Sequence, residues 1–382
     1  MNFPFTLEQL SSRLKIVDLL LLSLFKKRLD LSLEVEKRKS VETTKEKRAI
    51  YNPQREEERV QLARDWAAEH GINPLFAAAM LYGVIDESCK VQMVQREVRG
   101  TVGVEWVGST SEEEWQKLLS ENLLRLTEHW AKTYDEHYDT AFFATHSYLE
   151  HEQSILAQEL EALPDRELLV DLGCATGRLT FQFADKFEKV VGYDISQHMI
   201  QKADEKLAIS KLANISFKVA DIQTCIPEES NSVSLVVMNL GTASDIRELP
   251  KVLKEVARIL KPHGRFFFSF YNKEALLYQW KFIPWFPSVA AEVNFYRDCL
   301  DVHLENETLS VYAKSYTVDQ VLELIKSGLA VSEIQTYPTI SAILPNDLFE
   351  NQPDVQRSVE DLDRHLMFAN SGAYIIATGQ KT

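Results

Sequence analysis

The chain is short of glycine, proline and cysteine, with 13, 12 and 4 of them in 382 residues. So little Gly and Pro excludes a collagen-like or low-complexity chain, and no internal repeat is visible. Cys89, Cys174, Cys225 and Cys299 stand far apart, without CxxC or Cys/His ligand spacing. They read as reduced thiols rather than a disulfide or zinc framework, so no metal is expected. Long apolar runs are also missing. The segment Ile16–Phe25 lies between Lys15 and Lys26 and is too short to span a bilayer. No basic segment precedes it as in a secretory signal. A cytoplasmic protein without a membrane partner is expected. Positive charge is the last deficit: 42 Lys and Arg against 57 Asp and Glu give a net charge of −15. That excludes a nucleic-acid-binding surface over the whole molecule. The deficit is uneven, because the first sixty residues hold 13 basic against 10 acidic side chains. A locally basic front end fits either a small anionic ligand or a solvated helix face.

What remains is an ordinary globular composition, 45% hydrophobic and 26% charged, long enough for two or three domains with cores of their own. Residues 5–40 read as one long helix, since Leu7, Leu10, Leu14, Val17, Leu21 and Leu24 recur every three or four positions. Polar residues 40–47 break the pattern. Asn52-Pro53 opens a second helix ending near Gly71, and Asn73-Pro74 opens a third to about Val98. Three helices cannot easily bury the long first one within a single chain, so a homodimer through these helices is expected. Residues 100–111 form the expected domain boundary. Residues 111–163 read as helical with a break near Thr140–Ser147. From Glu167 onward, short apolar runs (Leu168–Leu172, Val190–Tyr193, Ile215–Val219, Leu235–Asn239, Arg265–Phe270) alternate with amphipathic helices. That rhythm predicts an α/β doubly wound, mostly parallel sheet.

Between the first strand and its helix lies Asp171-Leu172-Gly173-Cys174-Ala175-Thr176-Gly177. Gly173 and Gly177 let the backbone turn tightly and approach a ligand. Asp194 closes the next strand about 20 residues on, where a carboxylate can accept both ribose hydroxyls of an adenosine. This pattern suits either an NAD or an S-adenosylmethionine site. The segment resembles the first motif of class I, Rossmann-like methyltransferases. Val219-Ala220-Asp221-Ile222 is similar to a later motif, and Ile259-Leu260-Lys261-Pro262-His263-Gly264-Arg265 to the family's turn before strand five. The resemblance covers about residues 150–382 and departs at Ala175, where the family has a middle Gly. It implies a seven-stranded sheet and S-adenosylmethionine as cofactor. Its contacts would come from Asp171 near the methionine amine, the backbone of Gly173, Cys174, Ala175 and Gly177, and Asp194 with Ile195 at the ribose. Asp221 and Ile222 would sit at the adenine, and Asn239 beside the methionine. Upstream, Tyr134 and Tyr138 either close over the sulfonium or pack the lead-in helix on the sheet.

Leu240-Gly241-Thr242 follows Asn239, instead of the Pro-Pro-aromatic continuation of enzymes that methylate base or protein amide nitrogens. A small acceptor and no nucleic-acid partner are therefore expected. The insertion expected at about 273–345, in the aromatic-rich span Tyr271–Pro345, holds Tyr278, Trp280, Trp285, Phe286, Phe295, Tyr296 and Tyr312. These rings either enclose a partly apolar substrate or form the core of a cap. Tyr271, Asn272 and His303 are the polar candidates to orient or deprotonate an acceptor.

Residues 7–95 resemble the all-helical, type II chorismate mutases. The match runs through Leu10, Leu14, Asp18, Leu21 and Arg28, then Lys39, then Arg55 and Glu56, and ends on Ile85-Asp86-Glu87-Ser88 with Gln92. Chorismate carries two carboxylates, and its rearrangement needs cations and donors placed around a compact conformer rather than covalent chemistry. By the resemblance, Arg28 would hold a carboxylate and Lys39 and Gln92 would face the ether oxygen. Arg55, Glu56 and Ser88 would position the rest. The family has an arginine on helix one where this chain has Ser11, and Arg13 lies about 200° further round the helix. Asn52 replaces a usual Asp. Losing one charge-assisted carboxylate contact removes about 1.5–3 kcal/mol. Three readings stay open for this unit: a working mutase in a bifunctional chain, a weakened one that still binds a related carboxylate, or a dimerisation module. A rival for the whole chain is a regulatory protein that binds ligands without turnover.

Overall fold

The computed structural model describes residues 6–39, 53–98, 112–139, 142–279, 291–294, 297–304, 308–326 and 328–382. It divides into two compact units, the second beginning at Glu112. The expected boundary at 100–111 and the polar stretch 40–47, with Asn52, lie outside the described residues.

The first unit is three helices, α1 (Leu7–Lys39), α2 (Pro53–Glu69) and α3 (Pro74–Val98). Gly71, at φ +70°, stops α2, and the Ile72 N–H bonds back to the Ala67 carbonyl at 2.9 Å. Asn73 caps α3 by accepting from the Leu75 and Phe76 N–H groups at 2.9 and 3.4 Å, which satisfies amides that a helix start leaves orphaned. α3 packs on both other helices. The leucines early in α1 have no such cover: Leu14, Leu20 and Leu24 are 65%, 59% and 63% exposed.

The second unit opens with α4 (Glu112–Trp130), α5 (Tyr134–Asp139) and α6 (Phe143–Glu161). The break falls within the expected stretch, and a further turn at 131–133 separates α4 from α5. The chain then alternates β1 (Leu168–Leu172), α7 (Arg178–Gln182), β2 (Lys189–Asp194), α8 (Gln197–Ser210), β3 (Ile215–Val219), β4 (Val233–Met238), α9 (Leu249–Ile259) and β5 (Leu260–Tyr271). α10 (Leu276–Gln279) and strands β6 (Ala291–Asn294), β7 (Cys299–His303) and β8 (Thr308–Tyr312) follow. The chain ends with α11 (Val318–Ile325), β9 (Leu329–Tyr337), α12 (Pro353–Leu366) and β10 (Tyr374–Lys381).

Seven strands form one sheet in the order β3-β2-β1-β4-β5-β10-β9. The first five are parallel, and β10 runs antiparallel to both β5 and β9. β1 and β4 are buried at every position, as strands covered on both faces must be, which is why each reads as an unbroken apolar run. α9 shows the complementary helical pattern: Leu249, Val252, Leu253, Val256 and Ile259 all face the core with no exposed surface.

The expected insertion proves too long. In its last part, β9 belongs to the main sheet, where it covers the outer edge of β10, and α11 packs on β9. What stands outside the sheet is α10 and an antiparallel three-stranded sheet, β6-β7-β8. That small sheet packs on α4, distant in sequence. Leu126 meets Val302, Leu309 and Val311, and Asn122 Nδ2 donates to the Ser310 carbonyl at 2.9 Å. Trp280, Trp285, Phe286, Phe295 and Tyr296 lie outside the described residues, while Tyr278 and Tyr312 are half-buried.

Because Leu253 has no exposed surface, Leu253→Ala should cost about 2–5 kcal/mol. A shift of the urea midpoint of the second unit by less than the equivalent of about 1 kcal/mol would contradict this packing.

Candidate active site

The sheet reverses direction of growth between β1 and β4. At such a switch point the two loops diverge and leave a crevice beyond the carboxyl ends of the strands. The glycine turn after β1 enters it. Gly173 and Gly177 take φ of +78° and +83°, and Ala175, at the family's middle glycine position, takes +47°. A Cβ on Gly173 would lie 2.6 Å from the Thr242 methyl, and one on Gly177 would lie 2.5 Å from the Phe217 ring. Side chains are thus excluded twice, by conformation and by space.

Asp194, the last residue of β2, holds this turn. Its Oδ2 accepts the Ala175 N–H at 2.9 Å and its Oδ1 the Ser196 N–H at 2.8 Å. Burial raises its carboxyl above the usual value, against those bonds. The Gly173 and Cys174 N–H groups both bond to the Tyr193 carbonyl, at 2.8 and 3.0 Å. Cys174 is buried, and desolvation pushes its thiol well up. At the neighbouring strand end, Ala220 N–H bonds to the Asp194 carbonyl at 2.9 Å. This places Ile195, which is 41% exposed, on the same edge as Asp221 and Ile222. Asp221 closes its own turn by accepting from Gln223 N–H at 3.0 Å. Asn239 follows β4, is buried, and accepts at its carbonyl from Thr242 N and Oγ1 at 2.9 and 2.6 Å.

Asp171 is 1% exposed. Its Oδ2 accepts from Thr180 Oγ1 at 2.7 Å, while Oδ1 has no partner among the described residues. Burial raises this carboxyl to about 6. An orphaned buried oxygen beside a crevice is what a cationic ligand group would complete.

The lead-in segment covers the turn. Tyr134 and Tyr138 on α5 meet edge to face, with centroids 5.1 Å apart and hydroxyls 3.3 Å apart. Burial raises both phenols, Tyr134 the more. Asp135, between them, accepts from Thr176 Oγ1 at 2.7 Å and Lys206 Nζ at 2.9 Å, fastening α5 to the glycine turn. Arg178, the first residue of α7, lies 5.7 Å over the Tyr138 ring and donates to Glu152 of α6 at 3.2 Å.

On the acceptor side the expectations fare unevenly. Asn272 is fully buried. Its Nδ2 donates to the Asn370 and Gly372 carbonyls at 2.9 and 2.7 Å, and its Oδ1 accepts from Glu274 N–H at 3.0 Å. Both amide hydrogens are committed to the backbone, so Asn272 fastens the strand end rather than meeting an acceptor. The His303 side chain lies outside the described residues. Tyr271 packs against Gly241, where a Cβ would lie 2.5 Å from its ring, and it lies close enough to Asp245 for the two groups to act on each other's charge. Sequence reading missed Asp245. Solvent reaches it, yet desolvation raises its carboxyl well above the usual range. Its charge also weighs on Tyr138, Tyr271 and Tyr374.

In the helical unit, Arg28 of α1 donates to Ser88 Oγ and, at 3.1 Å, to the Val84 carbonyl of α3. Gln92 Nε2 bonds to the Ser88 carbonyl at 3.1 Å, and its buried Oε1 has no partner among the described residues. Glu56 is buried and accepts twice from Arg59, at 3.1 and 2.9 Å. Burial, with the Arg59 cation near, lowers Arg28 from its ordinary value. The Lys39 and Arg55 side chains lie outside the described residues. Arg59, one turn beyond Arg55, was not among the residues singled out in the sequence.

A family model described as "Methyltransferase domain" matches residues 165–368, just over half of the chain. The chain belongs to this methyltransferase family. A second model, "Chorismate mutase type II", matches residues 10–93. Among curated relatives, a "Biotin biosynthesis bifunctional protein BioHC" of Saccharophagus degradans is 33% identical over 126 residues, 32% of this chain and 22% of the relative. A "Demethylmenaquinone methyltransferase" of Lactococcus lactis is 35% identical over 103 residues, 25% of this chain and 39% of the relative. The chain therefore spans well under half of these relatives. Among solved structures, the PH0226 protein of Pyrococcus horikoshii aligns at 19% identity and a TM-score of 0.44, covering 62% of this chain and 91% of that one.

Asp194→Ala in this methyltransferase unit leaves the Ala175 and Ser196 N–H groups without their acceptor, which should cost about 1–3 kcal/mol. Denaturation of the variant at the wild-type midpoint would show that the carboxylate does not hold the turn.

Proposed function

We propose that the second unit transfers a methyl group from S-adenosylmethionine to a small, partly apolar acceptor. The observation carrying this reading is the glycine turn at the switch point, flanked by the Asp194 carboxylate and the unpartnered Oδ1 of Asp171. When bound, adenosylmethionine supplies an electrophilic methyl on a sulfonium, and the chain's own residues bind, orient and exclude water. Asp194 accepts the ribose hydroxyls on the lone pairs its two N–H bonds leave open. Ile195 and Ile222 flank the adenine, with Asp221 at its amine. Asp171 takes the methionine ammonium, with Asn239 alongside. Tyr134 and Tyr138 cover the sulfonium, where their faces favour a cation. The names of the two curated relatives, a methyltransferase and a bifunctional biosynthetic protein, support a small-molecule acceptor.

Asp245 is the base of this reading. Lying near Tyr271, it takes the proton from an acceptor hydroxyl or acid as the methyl arrives. A raised carboxyl is ionised only above its raised pKa, so turnover should rise with pH and fall as pH drops through that value. Calorimetry should detect S-adenosylmethionine and S-adenosylhomocysteine binding to the full chain, and cell metabolite extract should drive release of the homocysteine product. Asp245→Asn should keep that binding and cut release about 10²- to 10⁴-fold. Binding without product release across extracts would favour a ligand-binding regulator, and binding of neither adenosyl ligand would overturn the methyltransferase reading.

For the helical unit we propose binding of a chorismate-type dicarboxylate between Arg28, Ser88 and Gln92, completed by Lys39, Arg55 and Glu56. The chain would pair with a second copy through α1, whose exposed leucines need cover. The fusion favours a methyl acceptor derived from chorismate or prephenate. Ser11 favours weakened catalysis over full activity. Chorismate absorbance should decline in the presence of the full chain, more slowly with Gln92→Ala. A flat trace with heat on prephenate titration would leave a sensor, and no heat would leave a dimerisation module. In sedimentation, Leu20→Asp with Leu24→Asp should yield monomer from a wild-type dimer; a wild-type monomer would end the pairing proposal.

A further inference from the structure

Among the described residues of the second unit, four carboxylates on α6, β1 and α12 are under a tenth exposed: Glu152, Glu159, Asp171 and Asp363. Two are saturated. Both oxygens of Glu159 accept from Arg265. Asp363 accepts the Thr339 and Ile340 N–H groups on Oδ1, and the Ser341 N–H and hydroxyl on Oδ2. That is how a structural carboxylate is normally buried.

Glu152 and Asp171 differ. Each is 1% exposed, and each has one oxygen partnered: Glu152 Oε2 by Arg178 at 3.2 Å and Asp171 Oδ2 by Thr180 at 2.7 Å. Glu152 Oε1 and Asp171 Oδ1 have no partner among the described residues. Both are held from the first turn of α7, Glu152 by Arg178 and Asp171 by Thr180 two residues on, and the charge of Asp171 reaches Glu152. Glu152 comes from the buried stripe of α6, with Tyr148, Ile155 and Leu156. Asp171 comes from β1, two residues before Gly173. Leaving two anionic oxygens unsatisfied in one dry place is costly, unless a cation with several donors completes them.

We infer that Glu152 and Asp171 jointly receive the ammonium group of an amino-acid-bearing ligand, one N–H to each unpartnered oxygen, and that this binding expels a proton from the pair. The inference rests on the adenosylmethionine reading and adds Glu152 to the residues that hold the methionine end. In the step, the carboxyl O–H breaks, its electron pair stays on the oxygen as an N–H···O bond forms, and solvent buffer takes the proton. Desolvation raises Glu152 to about 7 and Asp171 to about 6, so the ligand-free pair holds a proton near neutrality. The surroundings of Glu152 oppose this only in part. Arg178 and the Leu240 N–H favour its charge, Asp171 disfavours it, and Tyr138, Tyr148 and Tyr374 feel it. Around Asp171, Thr180 and Arg178 favour the charged form, whereas Asp194 opposes it and Cys174 responds.

The test is calorimetry of S-adenosylhomocysteine binding to the full chain in buffers of different ionisation enthalpy. At pH 6.5 the pair should release between about half and one proton per site, and affinity should be about ten- to twentyfold tighter at pH 8 than at pH 6. Methylthioadenosine, which lacks the amino-acid end, should bind without releasing a proton. Glu152→Gln should weaken S-adenosylhomocysteine at least tenfold, flatten its pH dependence and leave methylthioadenosine unchanged. Wild-type binding with no proton release, or equal loss of both ligands in the variant, overturns the inference while the methyltransferase reading stands. Wild type binding neither adenosyl ligand overturns both.

Discussion

The methyltransferase unit depends on the grip of Asp194 on the turn after β1. One carboxylate accepts two backbone N–H groups, from Ala175 and Ser196, and so fixes the glycine turn and the start of α8 together. Everything else in the crevice is positioned from there: the Asp171 oxygen beneath the turn, the apolar edge of Ile195 and Ile222, and the tyrosines of α5 fastened through Asp135 and Thr176.

Charge is distributed around that crevice by burial more than by ion pairing. Asp171, Asp194, Glu152 and Asp245 are all raised, in each case first by desolvation. The phenols of Tyr134, Tyr138, Tyr271 and Tyr374 are raised in the same way. Of these groups, only Glu152 and Asp171, each 1% exposed, are fully out of water, and there electrostatic contacts are strongest. The helical unit works differently, with a half-buried arginine braced against Ser88 and Val84 and a glutamine oxygen left unpartnered.

Much of the architecture was legible from the chain. β1 and β3 fall at the residues where the apolar runs put them, α2 begins at Pro53 and ends just before Gly71, and α3 begins at Pro74. The error was at β9. Leu329–Tyr337 carries Ser332, Glu333 and Gln335 among its apolar residues, so it looked like more of the aromatic insertion, although it seals the sheet edge. Asn272 was misjudged for a related reason: a polar residue at a strand end looks the same whether its amide meets a substrate or the Asn370 and Gly372 carbonyls.

The sequence alone determined the switch-point fold and the glycine turn, because periodicity and forbidden φ angles are local properties of the chain. The recurrence of leucines along α1 is legible there too, since it is a matter of spacing. Only the tertiary structure decided which carboxylates are satisfied and which are not. Glu152 and Glu159 sit about two helical turns apart on α6 and look alike in the sequence. One meets Arg265 on both oxygens and the other meets Arg178 on one, and that difference exists only after β5 and α7 have come to rest against the helix.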